Sequence, residues 1–201
     1  MILYRRRFQM NSFLENSRIR LRPIEEKDLS TLYVWRNEHD FISLFSPHRN
    51  VINYEKFIVE HKRDTDKSRH MQFIAESVRR KVSIGMTYSY DISLTDGYVF
   101  LGGYTPRAFR RNGYGAIGMS MVILYLFRFF PLHKIYFEVF EYNVPSISML
   151  QNFGFVEEGR FKGHRFYDGN RYDVLRFALY RNKMDKINSL LLRIGQSSQK
   201  T

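Results

Sequence analysis

The segment Arg110-Arg111-Asn112-Gly113-Tyr114-Gly115-Ala116 sets two guanidiniums and two glycines between an extended apolar run, Tyr98 to Thr105, and a longer one, Ala116 to Phe130. Strand, glycine-bearing turn and helix, in that order, present unpaired backbone N–H groups at the positive end of a helix dipole. A phosphate or pyrophosphate binds well there. Gly113 and Gly115 remove the Cβ atoms that would hold a ligand off the backbone, and the arginines add charge. The competing reading is a turn that serves packing alone. Other phosphate loops are excluded by spacing: there is no Gly-x-x-x-x-Gly-Lys-Ser/Thr, and no early Gly-x-Gly-x-x-Gly followed by a ribose-binding acid.

Further along, Lys134 to Asn143 is an apolar run that contains Glu138 and ends in an asparagine. Asn143-Val144-Pro145-Ser146 then opens a segment that closes at Gly154-Phe155. The six histidines show no His-Glu-x-x-His or other ligand spacing, so no metal is expected. No Gly-x-Ser-x-Gly elbow supports a hydrolase. With no cysteine, disulfides, thiolate metal sites and a cysteine nucleophile are excluded.

The pattern Arg/Gln-x-x-Gly-x-Gly/Ala resembles the acyl-CoA loop of the GCN5-related N-acetyltransferases, the GNAT superfamily. The Lys134–Asn143 run and the Asn143 to Phe155 segment are similar to its next two motifs. Glu158-Gly159 with Tyr167-Asp168-Gly169-Asn170-Arg171-Tyr172-Asp173, and earlier Ile19-Arg20-Leu21-Arg22-Pro23 and Trp35-Arg36-Asn37, resemble one branch. That branch holds ribosomal-protein alanine, spermidine and amino-sugar N-acetyltransferases. The likeness covers about residues 18 to 182.

The resemblance implies direct transfer of acetyl from acetyl-CoA to an amine in a ternary complex. The enzyme positions the thioester, neutralises the amine and stabilises the developing charges. Carried over by motif, Arg110, Arg111, Asn112, Gly113, Tyr114, Gly115 and Ala116 would hold the pyrophosphate. The backbone of Gly103, Tyr104 and Thr105 would pair with the pantetheine arm, which needs a local splay between two parallel strands. Asn143 would hold the pantetheine or shape that splay; capping the following helix is the alternative. Many members place a tyrosine acid four residues before the glycine of Gly-Phe, where this chain has Leu150. Ser146, three residues after the asparagine, would instead hydrogen-bond the departing sulfur.

Glu138 is the candidate base: burial in an apolar strand would raise its pKa and suit it to accept a proton. A partnered structural carboxylate is the alternative, and Glu76 and Asp91 are weaker candidates. In relatives the first two helices and the last hairpin line the acceptor site, implying Trp35, Arg36, Asn37, Phe41, Tyr88, Phe166 and Tyr167, with core packing as the alternative for the aromatics. Arg36 would suit an anionic acceptor through bidentate phosphate contacts.

A nucleotide-linked amino sugar is thus expected ahead of a ribosomal-protein N-terminus. A polyamine fits less well, because no acidic cluster awaits it. A non-catalytic acetyl-CoA- or RNA-binding module is the competing class.

These residues need a scaffold. Arg18 to Arg22 alternates as a strand with one buried face. Acids at Glu25, Glu26 and Asp28 favour a helix start after Pro23, and Asn53 caps a second helix to about Lys62. His70–Ser77, Lys81–Asp91 and Tyr98–Thr105 read as successive strands. The helix from Ala116 stops at Pro131. Ile135–Glu141 is a central strand and residues 144–153 form a helix capped by Gly154. Phe155–Phe161 and Arg165–Tyr180 are strands, the latter bent at Asp168-Gly169. The expected fold is one α/β domain with a mixed, mostly antiparallel sheet, a splayed central strand pair and flanking helices. Residues 1–17 form an N-terminal extension, 18–182 the acetyltransferase domain, and 183–201 a short amphipathic segment and polar tail.

The 201 residues, 44% hydrophobic and 16% aromatic, suit one globular domain. No apolar segment is long enough for a leader or an anchor, so a cytoplasmic protein with no membrane partner is expected. The formal charge of +12 is spread among acids and aromatics. It predicts a phosphate-bearing cofactor and an anionic partner, with nucleic acid only through a ribosomal substrate.

Overall fold

Alternation in Ile19–Pro23 (β1) buries Ile19 and Leu21 and turns Arg20 outward. The strands that follow are Gln72–Ser77 (β2), Ser83–Ser93 (β3), Tyr98–Tyr104 (β4), Lys134–Phe140 (β5), which alternates as clearly, Val156–Tyr167 (β6) and Asn170–Tyr180 (β7). The computed structural model describes residues 14–46, 48–66 and 71–196. The first part of the extension, the strand start at His70 and the tail beyond 196 lie outside the described residues.

The seven strands form one sheet in the order β1-β2-β3-β4-β5-β7-β6. All neighbours are antiparallel except β4 and β5, which a crossover helix, Tyr114–Phe129 (α4), makes parallel. This ladder holds only Tyr98↔Lys134, Val99↔Ile135 and Phe100↔Tyr136. Beyond it the strands part: Leu101–Tyr104 stay bonded to β3, and Phe137–Phe140 to β7. The expected splay is present.

On one face α4 packs with Val144–Phe153 (α5) and Met184–Gln196 (α6) over Leu101, Ile135, Phe137 and Phe177. On the other, Leu29–Arg36 (α1), His39–Leu44 (α2) and Tyr54–Asp66 (α3) gather Trp35, Phe41 and Phe57 around Ile74 and Tyr104. Arg181 donates to the carbonyls of Phe127, Phe130 and Leu132, placing a cation where the α4 dipole is negative. Asn143 caps α5 at its start, and Gly154, at φ +93°, closes it.

Two elements differ from the sequence reading. The short helix α2 stands where none was expected. β6 runs unbroken to the hairpin, with register shifts between Glu157/Gly159 and Phe161/Arg165. The amphipathic segment expected within residues 183–201 forms α6, with Ile187 and Leu191 buried in the main core and Leu190 and Ile194 packed against it.

Candidate active site

The turn from β4 into α4 runs through Arg111 at φ +64° and Gly113 at φ +74°. The first intrahelical bond is Ile117 N–H to the Gly113 carbonyl, 3.0 Å. The N–H groups of Tyr114, Gly115 and Ala116 therefore precede the helical ladder and point out of its end. A side chain at Gly113 would carry left-handed strain, and its Cβ would stand 3.3 Å from Ile194. A Cβ on Gly115 would come within 3.1 Å of Thr105 Oγ1. Both glycines thus meet a packing demand while they leave the backbone bare.

The two arginines of the loop differ in their engagement. Arg110 donates from Nε to the Thr105 carbonyl at 2.9 Å and from a terminal nitrogen to Asp40 at 2.6 Å, so its guanidinium is held by α2. Arg111 and Asn112 are exposed. The Asn112 carbonyl accepts from Arg18 at 2.6 Å, and the Arg18 guanidinium lies 5.1 Å from the Tyr114 ring centroid.

Below the loop, the β4 edge that faces β5 has no ladder partner among the described residues from Leu101 to Tyr104. Gly103 on this edge is exposed, and Thr105 follows at the mouth, half-buried. Bare amides at a helix end and an open strand edge beside it suit a diphosphate joined to an amide-bearing chain.

At the far side of the splay, Asn143 Oδ1 accepts from the Ser146 N–H at a long 3.4 Å, while Asn143 N–H donates to the Phe140 carbonyl at 2.8 Å. The capping role left open by sequence is the one seen. Ser146 sits half-buried in the first turn of α5, and Leu150 is 1% exposed in the core.

Glu138 corrects its sequence expectation. Ile135, Phe137 and Val139 fill the interior, so alternation sends Glu138 to the opposite, open face, where it is exposed. Its Oε1 accepts two bonds from Arg176, 3.0 and 2.6 Å. Burial in an apolar strand, the premise of a base role, does not hold. Arg176 in turn lies across Phe100, Phe161 and Tyr136, at 4.9, 5.2 and 5.6 Å from the ring centroids.

The acceptor residues divide. Trp35 is buried against Tyr104, centroids 6.1 Å apart. Arg36, 6% exposed, is spent on Glu60 at 3.3 Å and the Asn50 carbonyl at 3.1 Å. Asn37 exchanges bonds with Ile52, donating at 3.1 Å and accepting at 2.9 Å. Arg36 and Asn37 tie α1 to α3 and the segment leading into it, and the buried Arg36 is poorly placed to meet an anionic acceptor. Phe41 is also buried.

Tyr88 lies half-buried on the sheet face that carries Phe45. It stands opposite Gly102 and stacks edge-on with Phe45, 5.3 Å between centroids. Burial pushes its phenol, and that of Tyr90 beside it, well above the usual range. Tyr104 is raised likewise, first by burial and then by its bond to the Glu38 carboxylate. Phe166 is exposed, and Tyr167 meets His39 at 3.2 Å.

Sequence reasoning missed Glu38, Asp40, Tyr142, Arg165 and Arg176. The Tyr142 hydroxyl donates to the Ser43 carbonyl at 2.6 Å, and Arg165, 4% exposed, donates to the Ile42 carbonyl at 2.9 Å. Only Arg176 left a usable signal, in the strand alternation of β7. Among the described residues no group of three His, Asp or Glu could hold a metal ion, and no helix is long and apolar enough to cross a membrane.

A family model described as an acetyltransferase (GNAT) domain matches residues 18–156. The spermidine N(1)-acetyltransferase of Vibrio cholerae is 24% identical over 170 residues, covering 84% of this chain and 96% of the relative. An uncharacterized prophage-derived N-acetyltransferase of Bacillus subtilis is 26% identical over 104 residues, 51% of this chain and 58% of its own. Among solved structures, the Vibrio cholerae spermidine N-acetyltransferase with CoA and spermine superposes with a TM-score of 0.77 at 22% identity, covering 84% of this chain and 99% of that one. A dodecameric structure of that enzyme gives 0.72 at 21% identity, covering 84% and 96%.

Proposed function

The chain belongs to the GNAT acetyltransferase family, and from that premise we propose how its residues divide the work and which amine it takes. It is an acetyl-CoA-dependent N-acetyltransferase. The observation that carries the assignment of roles is the end of the β4–β5 ladder at Phe100↔Tyr136, beside the bare N-terminus of α4. In this reading the amides of Tyr114, Gly115 and Ala116 take the diphosphate of acetyl-CoA. The open edge at Gly103, Tyr104 and Thr105 pairs with the pantetheine amides.

The acceptor amine then approaches from the aromatic face. Its nitrogen attacks the thioester carbonyl carbon, the carbon–sulfur bond breaks, and the sulfur leaves with a hydrogen bond from Ser146. The proton shed by the amine passes to solvent on the exposed side, because Glu138 is already committed to Arg176. No covalent acyl-enzyme is involved.

For the acceptor we favour a primary amine carried by a nucleotide-linked sugar. Arg36 no longer supports that choice. Arg176 takes its place: its Nε and one terminal nitrogen hold Glu138, and the guanidinium, on a shelf of Tyr136, Phe100 and Phe161, would turn its remaining nitrogen to a phosphate, with Tyr136 and Phe161 as rings for a base. A polyamine is the second reading, favoured by the named activity of the Vibrio cholerae relatives. It would need carboxylates free to meet several ammonium groups, whereas Asp40, Glu138 and Glu38 are engaged by Arg110, Arg176 and Tyr104.

Thiol release from acetyl-CoA, measured against nucleotide-linked amino sugars, free amino sugars, spermidine, aminoglycosides and ribosomal-protein N-terminal peptides, decides between them. The highest kcat/KM should fall on the nucleotide-linked amine. A clear preference for spermidine would replace it with the polyamine reading.

A further inference from the structure

We infer that Arg18, which precedes β1 and lies outside the glycine loop, is a phosphate-binding residue for acetyl-CoA. The inference rests on the reading of the 110–116 loop as the cofactor's anion site. It begins from the loop's own shortfall: Arg110, the first arginine of the motif, spends two nitrogens on Thr105 and Asp40.

Arg18 arrives at the loop from 94 residues away. Asn16 Oδ1 accepts from the backbone N–H of both Arg18 and Ile19, each at 2.9 Å, and this fixes the main chain where the side chain departs. One terminal nitrogen donates to the Asn112 carbonyl at 2.6 Å. The guanidinium plane lies by Tyr114, the first residue of α4, at 5.1 Å. The other terminal nitrogen is 3.5 Å from where a Cβ on Gly113 would stand. Neither it nor Nε has a hydrogen-bond partner among the described residues.

A guanidinium oriented by one hydrogen bond and one ring, with donors unspent at the mouth of a helix dipole, is preorganised for phosphate. Tyr114 and Asn112 thus serve as its holders. The charge of the cofactor is met by two segments far apart in sequence, the entry to β1 and the β4–α4 turn. The partner group is a phosphate of acetyl-CoA, either in the diphosphate or on the ribose.

The test uses the full chain with Arg18→Ala, Arg18→Lys and Arg18→Gln, the last keeping a donor for the Asn112 carbonyl while it removes the charge. Calorimetry with acetyl-CoA is paired with steady-state rates on acetyl-CoA, acetyl-3′-dephospho-CoA and S-acetylpantetheine. Arg18→Ala and Arg18→Gln should weaken acetyl-CoA about tenfold or more, with Arg18→Lys between them and the parent. Rates on S-acetylpantetheine, which has no diphosphate, should be unchanged. A deficit that vanishes on the dephospho substrate assigns the ribose phosphate; one that persists assigns the diphosphate.

Unchanged acetyl-CoA affinity would overturn the inference. So would an equal loss on S-acetylpantetheine, which would make Arg18 a brace for the loop and nothing more. Failure of the premise looks different: Gly113→Asp would then leave acetyl-CoA binding intact.

Discussion

Asp40 and Arg110 lie 70 residues apart in the chain, and their side chains meet at 2.6 Å. One belongs to α2 and the other to the turn that opens α4. The same helix is also held near its end, where Tyr142 and Arg165 donate to the carbonyls of Ser43 and Ile42. Glu38, at its start, receives the hydroxyl of Tyr104, the last residue of β4. A short helix is therefore joined both to the loop proposed for the cofactor and to the open strand edge.

Removing Asp40 separates these attachments. The pair is partly exposed, so Asp40→Ala should change folding stability by about 1 kcal/mol or less. It also deletes a negative charge near the loop and releases one end of Arg110. Acetyl-CoA should bind somewhat more tightly, by less than about tenfold, while KM for the amine rises as α2 loosens. Calorimetry that finds weaker cofactor binding would show that Arg110 serves better when tethered.

The glycine at the helix start allows a direct test of the anion site. Gly113→Asp adds left-handed strain, a contact with Ile194 and a negative charge beside the bare amides. Affinity for acetyl-CoA should fall more than about tenfold, or 1.4 kcal/mol. Gly113→Ala carries the strain and the contact without the charge, and should fall less. Equal losses in the two variants would mean that the position matters for loop shape alone.

Ser146 stands where the family resemblance puts a hydrogen bond to sulfur, and Leu150 supplies no hydroxyl. Ser146→Ala should raise the barrier by about 1–3 kcal/mol, read as a fall in kcat with KM for acetyl-CoA unchanged. Initial-rate plots should intersect for parent and variant alike, as direct transfer requires. Parallel lines, with one acetyl group added to enzyme incubated without acceptor, would contradict this.

Stability against pH should carry the signature of Asp28. It is 3% exposed, and burial acts to raise its pKa. Bonds from Arg22, at 2.6 and 2.9 Å, and from the Glu25 N–H win, and the carboxyl is held below its ordinary 3.8. A depressed carboxyl pKa contributes stability that is present above the ordinary value and lost as pH falls through the folded one. Asp28→Asn should therefore cost about 2–3 kcal/mol at pH 7, less than the ~3–5 of a charge left wholly alone, because Arg22 keeps Glu76 at 3.1 Å. Urea titrations at pH 7 and near pH 2.5 should show the gap narrowing. A gap of constant size would assign the effect to packing.

Local devices were legible in the sequence, and tertiary choices were not. Gly113 and Gly115 between an extended and a helical run marked the turn, and Asn143 with Gly154 bracketed α5, because caps and turns depend on a few adjacent residues. The splay came from the family resemblance; no residue type announces where a ladder stops. α2 escaped because six residues are too few for a helical period to declare itself, and its anchors come from β4, the loop and the hairpin. Arg36 was misread because an arginine sequestered by Glu60 looks like a free one until α3 is in place. Glu138 was misread because one strand's sequence does not say which of its faces is open.

Glu138 and Arg176, paired across β5 and β7, yield the last prediction. If Glu138 steadies the guanidinium on its aromatic shelf, Glu138→Gln should raise KM for the preferred amine several-fold while kcat and acetyl-CoA affinity hold. The pH dependence of kcat/KM should overlay the parent's, because the limb then reports the acceptor's own amine. Arg176→Ala should raise the same KM further, and the double variant should add little to it, since both changes act on one contact. A kcat that drops for Glu138→Gln, with the limb of its profile displaced or lost, would return the carboxylate to the role of base and leave Arg176 as the group that tunes it.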